Sequence, residues 1–240
     1  MQVDVIASVN EARAIDLTHR TVIVIDVLRA TSTIVTALAN GATSVLPVET
    51  VSQAKQCQEP NDVLGGERYC KKIAGFDTGN SPFEYMTTAF IGKRIILTTT
   101  NGTRAIQKAQ KAEHILAGSF INADACARAA FKLRKDIALL CAGSQDTFAF
   151  EDGLCAGLLI DVLSRLASNA SDITVNDYGY IMHSAFQHHR NSLTEALQKC
   201  AGGKRLAKLG FSKDVEYCAA VDSVPLVPIL EQHVMRPYEG

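Results

Sequence analysis

The chain has 240 residues, 47% hydrophobic and 20% charged, which is enough apolar material for one large α/β domain or two small ones. Lys and Arg number 24 against 25 Asp and Glu, a formal net charge of −1 that argues against a nucleic-acid binder working by broad phosphate neutralisation. No apolar run approaches the ~18 residues of a membrane span, and MQVDVIAS carries no basic and apolar leader, so a cytoplasmic protein without membrane contact is expected.

Taken in order, residues 3–7 read as a short strand and 11–17 as a short helix. Residues 22–27 read as the second strand, whose unbroken β-branched run at 22–25 suits a strand covered on both faces of a parallel sheet, and a helix over 31–40 ends at Asn40-Gly41. A strand at 44–48 and a helix at 51–58 lead to Val63-Leu64 and then Gly65-Gly66-Glu67-Arg68. Residues 69–85 are rich in Gly, Asp, Asn, Ser and Pro without periodicity, a long loop of the kind that carries function in a compact domain. Strands at 94–98, 114–117 and 137–140 alternate with helices at 103–111, 123–134 and 151–167. From 173 to 209 the pattern is helical and more polar. Its His183, His188 and His189 read as solvated side chains, because adjacent helical residues project about 100° apart. Residues 219–229 read as an edge or terminal strand, since their two prolines cannot donate to a ladder. The alternation predicts a layered α/β/α fold with a mainly parallel sheet and a helical second half. Residues 1–240 are read as one domain, with the alternative of two α/β subdomains that share a site and meet near 120–136. The seven cysteines form no C-x-x-C pair and stand mostly in apolar surroundings, so buried hydrophobes are expected rather than a zinc or disulfide framework.

Four stretches have the composition of a site, and in an open α/β sheet ligands bind beyond the carboxyl ends of the strands. Asp26, Arg29 and the hydroxyls of Thr31, Ser32 and Thr33 follow the second strand; a helix cap and a solvated arginine would explain the first two equally well. Gly65-Gly66-Glu67-Arg68 pairs glycines, which let backbone approach a ligand, with opposite charges. Thr98-Thr99-Thr100-Asn101-Gly102-Thr103 is a strand–loop–helix junction whose amides suit an anion, although it lacks the lysine and spacing of a P-loop. Residues 143–152 end in Glu151-Asp152 at a helix start, where carboxylates are also welcome electrostatically. With Asp26 and Glu67 these acids would make an all-oxygen site suited to Mg²⁺ rather than Zn²⁺. Acids and anion loops together suggest phosphoryl chemistry. The second acid of an aspartyl-phosphate phosphatase is replaced here by Leu28, so metal-assisted water attack is the expected mechanism.

IDVLRATSTIVTAL, GGER, GFDTGNSPFEY, TTTNGTRAI, AGSFINA and FAFEDGLCAG, in that order, resemble the 2-phosphosulfolactate phosphatase family. The resemblance spans residues 3–228 and implies an α/β phosphatase that uses Mg²⁺ to hydrolyse (2R)-2-phospho-3-sulfolactate to 3-sulfolactate and phosphate, a step toward coenzyme M in methanogens. Residues 69–74 stand where the family carries a glycine-rich run. The expected site has Asp26, Arg29 and Glu151 as catalytic residues and Asp26, Glu67 and Asp152 as metal ligands. Arg68, Asn80, Ser81, Thr100, Asn101, Gly102 and Thr103 are expected to bind a small anionic phospho-acid. A homo-oligomer is compatible with this reading. The alternatives are a phosphatase for another phospho-hydroxy acid and an anion-binding sensor without turnover.

Overall fold

The computed structural model describes residues 1–167, 169 and 172–240. The first half contains β1 (Gln2–Ile6), α1 (Ala14–Leu17), β2 (Thr21–Ile25), α2 (Ala30–Ala39), β3 (Ser44–Pro47), α3 (Val51–Gln56), β4 (Val63–Arg68) and β5 (Lys71–Lys72). There follow β6 (Arg94–Thr98), α4 (Gly102–Lys108), β7 (His114–Gly118), α5 (Ala123–Lys132), β8 (Ile137–Cys141), α6 (Phe150–Leu166) and β9 (Thr174–Val175). The chain closes with α7 (Asp177–His189), α8 (Leu193–Lys199), α9 (Ala201–Lys208), α10 (Ser212–Cys218), β10 (Pro228–Glu231) and β11 (Val234–Pro237). No described helix is long and apolar enough to cross a membrane.

The strands form one sheet in the order β5-β4-β6-β3-β11-β10-β7-β2-β8-β1-β9. Two parallel blocks are visible in the register: Val24 of β2 lies beside Ala117 and Leu140, while Ile96 of β6 lies beside Leu46 and Leu64. The blocks are joined by an antiparallel hairpin, β10–β11, which touches β7 at Ile229↔Leu116 and β3 at Met235↔Val45. The edge strand expected at 219–229 is therefore corrected. The strand begins at Pro228 and sits in the middle of the sheet. Of its two prolines, Pro225 lies before the strand and Pro228 occupies the first position of β10, where a missing amide donor interrupts no ladder.

All five residues of β2 are buried, as a doubly covered strand requires. Ile23 and Ile25 pack into the core shared with α5 and α6; Val22 and Val24 pack into the core shared with α2 and α4. Both faces covered, at about 1.5–3 kcal/mol per fully buried aliphatic side chain, make this strand the stiff element that carries Asp26 at its end. Five of the seven cysteines are buried, in keeping with their apolar settings.

The segment 69–85 is not the irregular loop its composition suggests. Asp77 and Thr78 donate backbone N–H groups to the Leu64 carbonyl, the Leu64 N–H donates to Asp77 Oδ2 at 2.8 Å, and Gly66 N–H donates to the Thr78 and Gly79 carbonyls. The chain thus runs beside β4 as a pseudo-strand before a 3₁₀ turn at Pro82–Tyr85. A strand-like partner built on hydrogen bonds to a glycine pair has no alternating apolar side chains to reveal it.

Candidate active site

One cleft beyond the carboxyl ends of β2, β4 and β8 is lined by Asp26, Glu67, Glu151 and Asp152. All four carboxylates are buried, at 8%, 8%, 5% and 2% exposure. Strand order would hold β2 and β4 apart, and the β6–α4 loop closes that distance. Its Thr100 donates N–H and Oγ–H to Glu67 Oε1, at 2.8 and 2.9 Å, while Gly102 lies against Asp26. A Cβ on Gly102 would come within 2.6 Å of Asp26 Oδ2 and would strike Ala30, so only glycine lets α4 start here.

Three of the four acids are anchored by different pieces of backbone. Asp26 Oδ1 accepts the Ala30 N–H at the start of α2, at 3.2 Å. Glu67 Oε2 accepts from Cys70 N–H at 2.7 Å. Asp152 Oδ1 and Oδ2 accept from Val27 N–H and Gly143 N–H, at 2.9 and 3.0 Å, and so staple the ends of β2 and β8 to α6. Glu151 receives no backbone donor among the described residues. It faces the first turn of α9, where any side chain on Gly202 would collide with its Oε1. The positive end of that helix stands opposite the carboxylate.

Burial drives the Asp26 pKa up to about 7, helped by the charges of Glu67 and Glu151 and opposed by the amide of Ala30. Burial, followed by the charges of Asp26 and Glu151, holds Asp152 well above the ordinary carboxylate range. A buried set of acids that repel one another is stabilised by a cation.

The basic groups are distributed differently from the sequence expectation. Arg29 lines the cleft, but its Nη1 donates to Asp214, which also accepts from Ser81 Oγ at 3.0 Å, and its guanidinium stacks 4.5 Å from the Phe211 ring centroid. Its charge is already matched by a buried partner. Arg68 is corrected: it lies outside the cleft, donating to the carbonyls of Glu67 and Glu49 and to Thr98 Oγ1. It follows Glu67 on β4, and successive strand residues point to opposite faces. Ser81 and Thr103 are likewise absent from the lining, the first bound to Asp214 and the second to the Thr99 carbonyl. Thr100 and Asn101 do line it, yet the Thr100 donors are committed to Glu67 rather than to an anion. The hydroxyls of Thr31, Ser32 and Thr33 bond the carbonyls of Asp26, Val27 and Asn80 and shape the turn into α2. The glycines of GGER serve packing: a Cβ on Gly65 would strike the Tyr85 hydroxyl.

Asn80 is in the lining and 5% exposed, and its Oδ1 has no donor. Arg205 of α9 also lines the cleft and escaped the sequence reading, because Lys204-Arg205 in a polar helix looks like solvated surface. The glycine pair Gly202-Gly203 just before it was the available signal of a close approach.

A family model described as 2-phosphosulpholactate phosphatase matches residues 6–233. The chain belongs to the 2-phosphosulpholactate phosphatase family. Among members of that family, it is 40% identical over 225 residues to a "Probable 2-phosphosulfolactate phosphatase" of Caldanaerobacter subterraneus subsp. tengcongensis, covering 92% of each chain. A protein of the same name from Thermotoga maritima is 43% identical over 214 residues, covering 88% of this chain and 89% of its own. Another from Clostridium tetani is 34% identical over 239 residues, covering 98% of this chain and 100% of its own. The stretches of this chain that carry the resemblance line the cleft: IDVLRATS supplies Asp26, GGER Glu67, TTTNG the Thr100 loop, and FAFEDG Glu151 and Asp152.

Asp26, Glu67 and Asp152, expected as metal ligands, all line the cleft without forming a closed cage. Among the described residues no three His, Cys, Asp or Glu side chains converge closely enough to cage an ion. Each carboxylate is drawn toward its own amide donors, and Asp152 has both oxygens engaged. The donor set still fits Mg²⁺. It is all oxygen, carries uncompensated negative charge, includes the unpaired Asn80 Oδ1, and resembles sites where the ion keeps waters and shares substrate phosphate.

Proposed function

We propose that the protein is a Mg²⁺-dependent phosphomonoesterase that hydrolyses (2R)-2-phospho-3-sulfolactate to 3-sulfolactate and phosphate by direct attack of water. The observation that carries this reading is the convergence of Asp26, Glu67, Glu151 and Asp152, all buried, on one cleft in a chain of this family. Asp26 and Glu67 would hold the ion together with waters and the substrate phosphate, and the ion would supply polarisation of the phosphoryl oxygens. Asp152 positions the two loops that carry Asp26 and Gly143. Glu151, with no backbone donor among the described residues, accepts the proton of the water as its oxygen adds to phosphorus and the ester P–O bond breaks, and the departing 3-sulfolactate oxygen takes a proton from solvent. Leu28, where an aspartyl-phosphate enzyme would place its second acid, supports water rather than Asp26 as the nucleophile.

Phosphate release from a panel of phospho-hydroxy acids, measured with Mg²⁺ and then with EDTA, tests the reading. Metal-dependent release is expected, highest on phosphosulfolactate. No release from any member would leave a binding protein without turnover, and release that survives EDTA would remove the metal.

A further inference from the structure

The substrate named above carries a strong acid group that hydrolysis does not touch, and the floor of the cleft is unsuited to hold it. Four carboxylates lie there, and Arg29 is matched to Asp214. Arg205 differs from every other basic group at the cleft. It is half-buried, and its Nη1 and Nη2 bond Ser144 Oγ and Gln145 Oε1, both neutral and both at 3.4 Å, the long limit of a hydrogen bond, with the neutral Cys70 thiol beside it. Among the described residues no carboxylate pairs with it. A guanidinium has five N–H donors in a planar fork, and this one is under-used.

Its surroundings are built rather than incidental. Arg205 stands between two hairpin tips that face the cleft. One is Tyr69-Cys70, at φ 55° and 64°, and the other is Gln145-Asp146, at φ 50° and 62°. Both are two-residue turns with positive φ at each position, a conformation that costs non-glycine residues about 1 kcal/mol or more each. The Cys70 thiol lies against Arg205, and the Cys70 N–H holds Glu67, so one tip touches both the arginine and an acid of the floor. Asn80, buried with an unpaired Oδ1, lines the same cleft and adds an acceptor for a substrate hydroxyl or a bound water.

Resting on the phosphatase reading above, we propose that Arg205 is the specificity-determining residue of this site, binding the sulfonate or carboxylate that the phospho-acid retains after hydrolysis. Its planar fork matches a two-oxygen face of such a group, and its place at the half-exposed mouth leaves the deep end for the phosphate and its cation. The strained tips hold Ser144, Gln145 and Cys70 around the guanidinium so that its open donors point into the cleft.

Arg205→Met keeps length and removes charge, and its half-exposed position keeps the fold within reach; a melting curve close to wild type checks this. The kcat/KM ratio of phosphosulfolactate to an aryl phosphate without a second acid group is expected to fall about 10- to 100-fold, mainly through KM, with partial recovery in Arg205→Lys. Equal losses on both substrates, or no change in the ratio, would overturn the proposal. If wild type releases no phosphate from either compound, the phosphatase reading fails separately. Calorimetric titration with 3-sulfolactate alone then decides on Arg205: binding by wild type that Arg205→Met weakens at least 10-fold supports it, and equal binding or none in wild type contradicts it.

Discussion

Asp26 bonds the start of a helix and lines the cleft at once: its Oδ1 takes the Ala30 amide while Oδ2 lies beside Gly102. Its pKa near 7 is raised from an unfolded value of 3.8, first by burial and then by Glu67 and Glu151. The folded metal-free protein therefore binds more protons than the unfolded chain between those values. This contribution to stability is complete below the unfolded pKa and is lost as pH rises through the folded one. Melting temperature of metal-free protein is expected to fall between about pH 5 and pH 8, with Mg²⁺ restoring most at the upper end. A flat profile, or equal Mg²⁺ stabilisation at both ends, would contradict it. Residue by residue, the acids that line the cleft were legible because each stands in a short polar motif at or beyond a strand end. Of the basic groups that line it, Arg29 was legible and Arg205 was not. Arg68 is excluded by strand alternation, which a motif does not display, and Arg205 enters from a helix more than 130 positions further along the chain.

Among elements, the junctions matter more than the elements themselves. Asp152 joins α6 to the ends of β2 and β8 by accepting two buried amides. Losing both acceptors strands two N–H groups at about 1–3 kcal/mol each, whereas removing the charge relieves repulsion from Asp26 and Glu151. The bonds are expected to win. Urea denaturation should rank wild type above Asp152→Asn, which keeps one acceptor, and that above Asp152→Ala. An alanine variant as stable as wild type would mean that repulsion dominates. Between α2 and α10, the Arg29–Asp214 pair is buried at 2% and 4% side-chain exposure. Breaking one partner is expected to cost about 3–5 kcal/mol, and the double replacement Arg29→Met with Asp214→Leu less than either single change. A double variant that is worse than both would contradict the account. Helix and strand periodicity made most of these elements readable. The pseudo-strand at 77–79 and the short β10 and β11 were not, because their pairing depends on partners distant in sequence rather than on a local pattern.

At the scale of the whole molecule, the C-terminal hairpin joins two parallel blocks, and the loops that follow β2, β4, β6 and β8 meet over one cleft. The layered α/β class followed from the alternation of strands and helices, whereas the joining of the blocks rests on one residue pair at each side, Ile229↔Leu116 and Met235↔Val45. The helical second half is more than a cover. α9 brings Gly202 against Glu151 and Arg205 to the mouth, so the last third of the chain adds a cationic rim to an acid floor built by the first two thirds. Under the proposed function, the buried acids of this cleft carry out metal-dependent hydrolysis. The most direct measurement is steady-state phosphate release from 2-phospho-3-sulfolactate with saturating Mg²⁺, comparing wild type with Glu151→Gln, which retains shape and removes the charge. The account predicts a fall in kcat of about 100-fold or more in a protein that melts normally. A Glu151→Gln variant that turns over within a few-fold of wild type would contradict it.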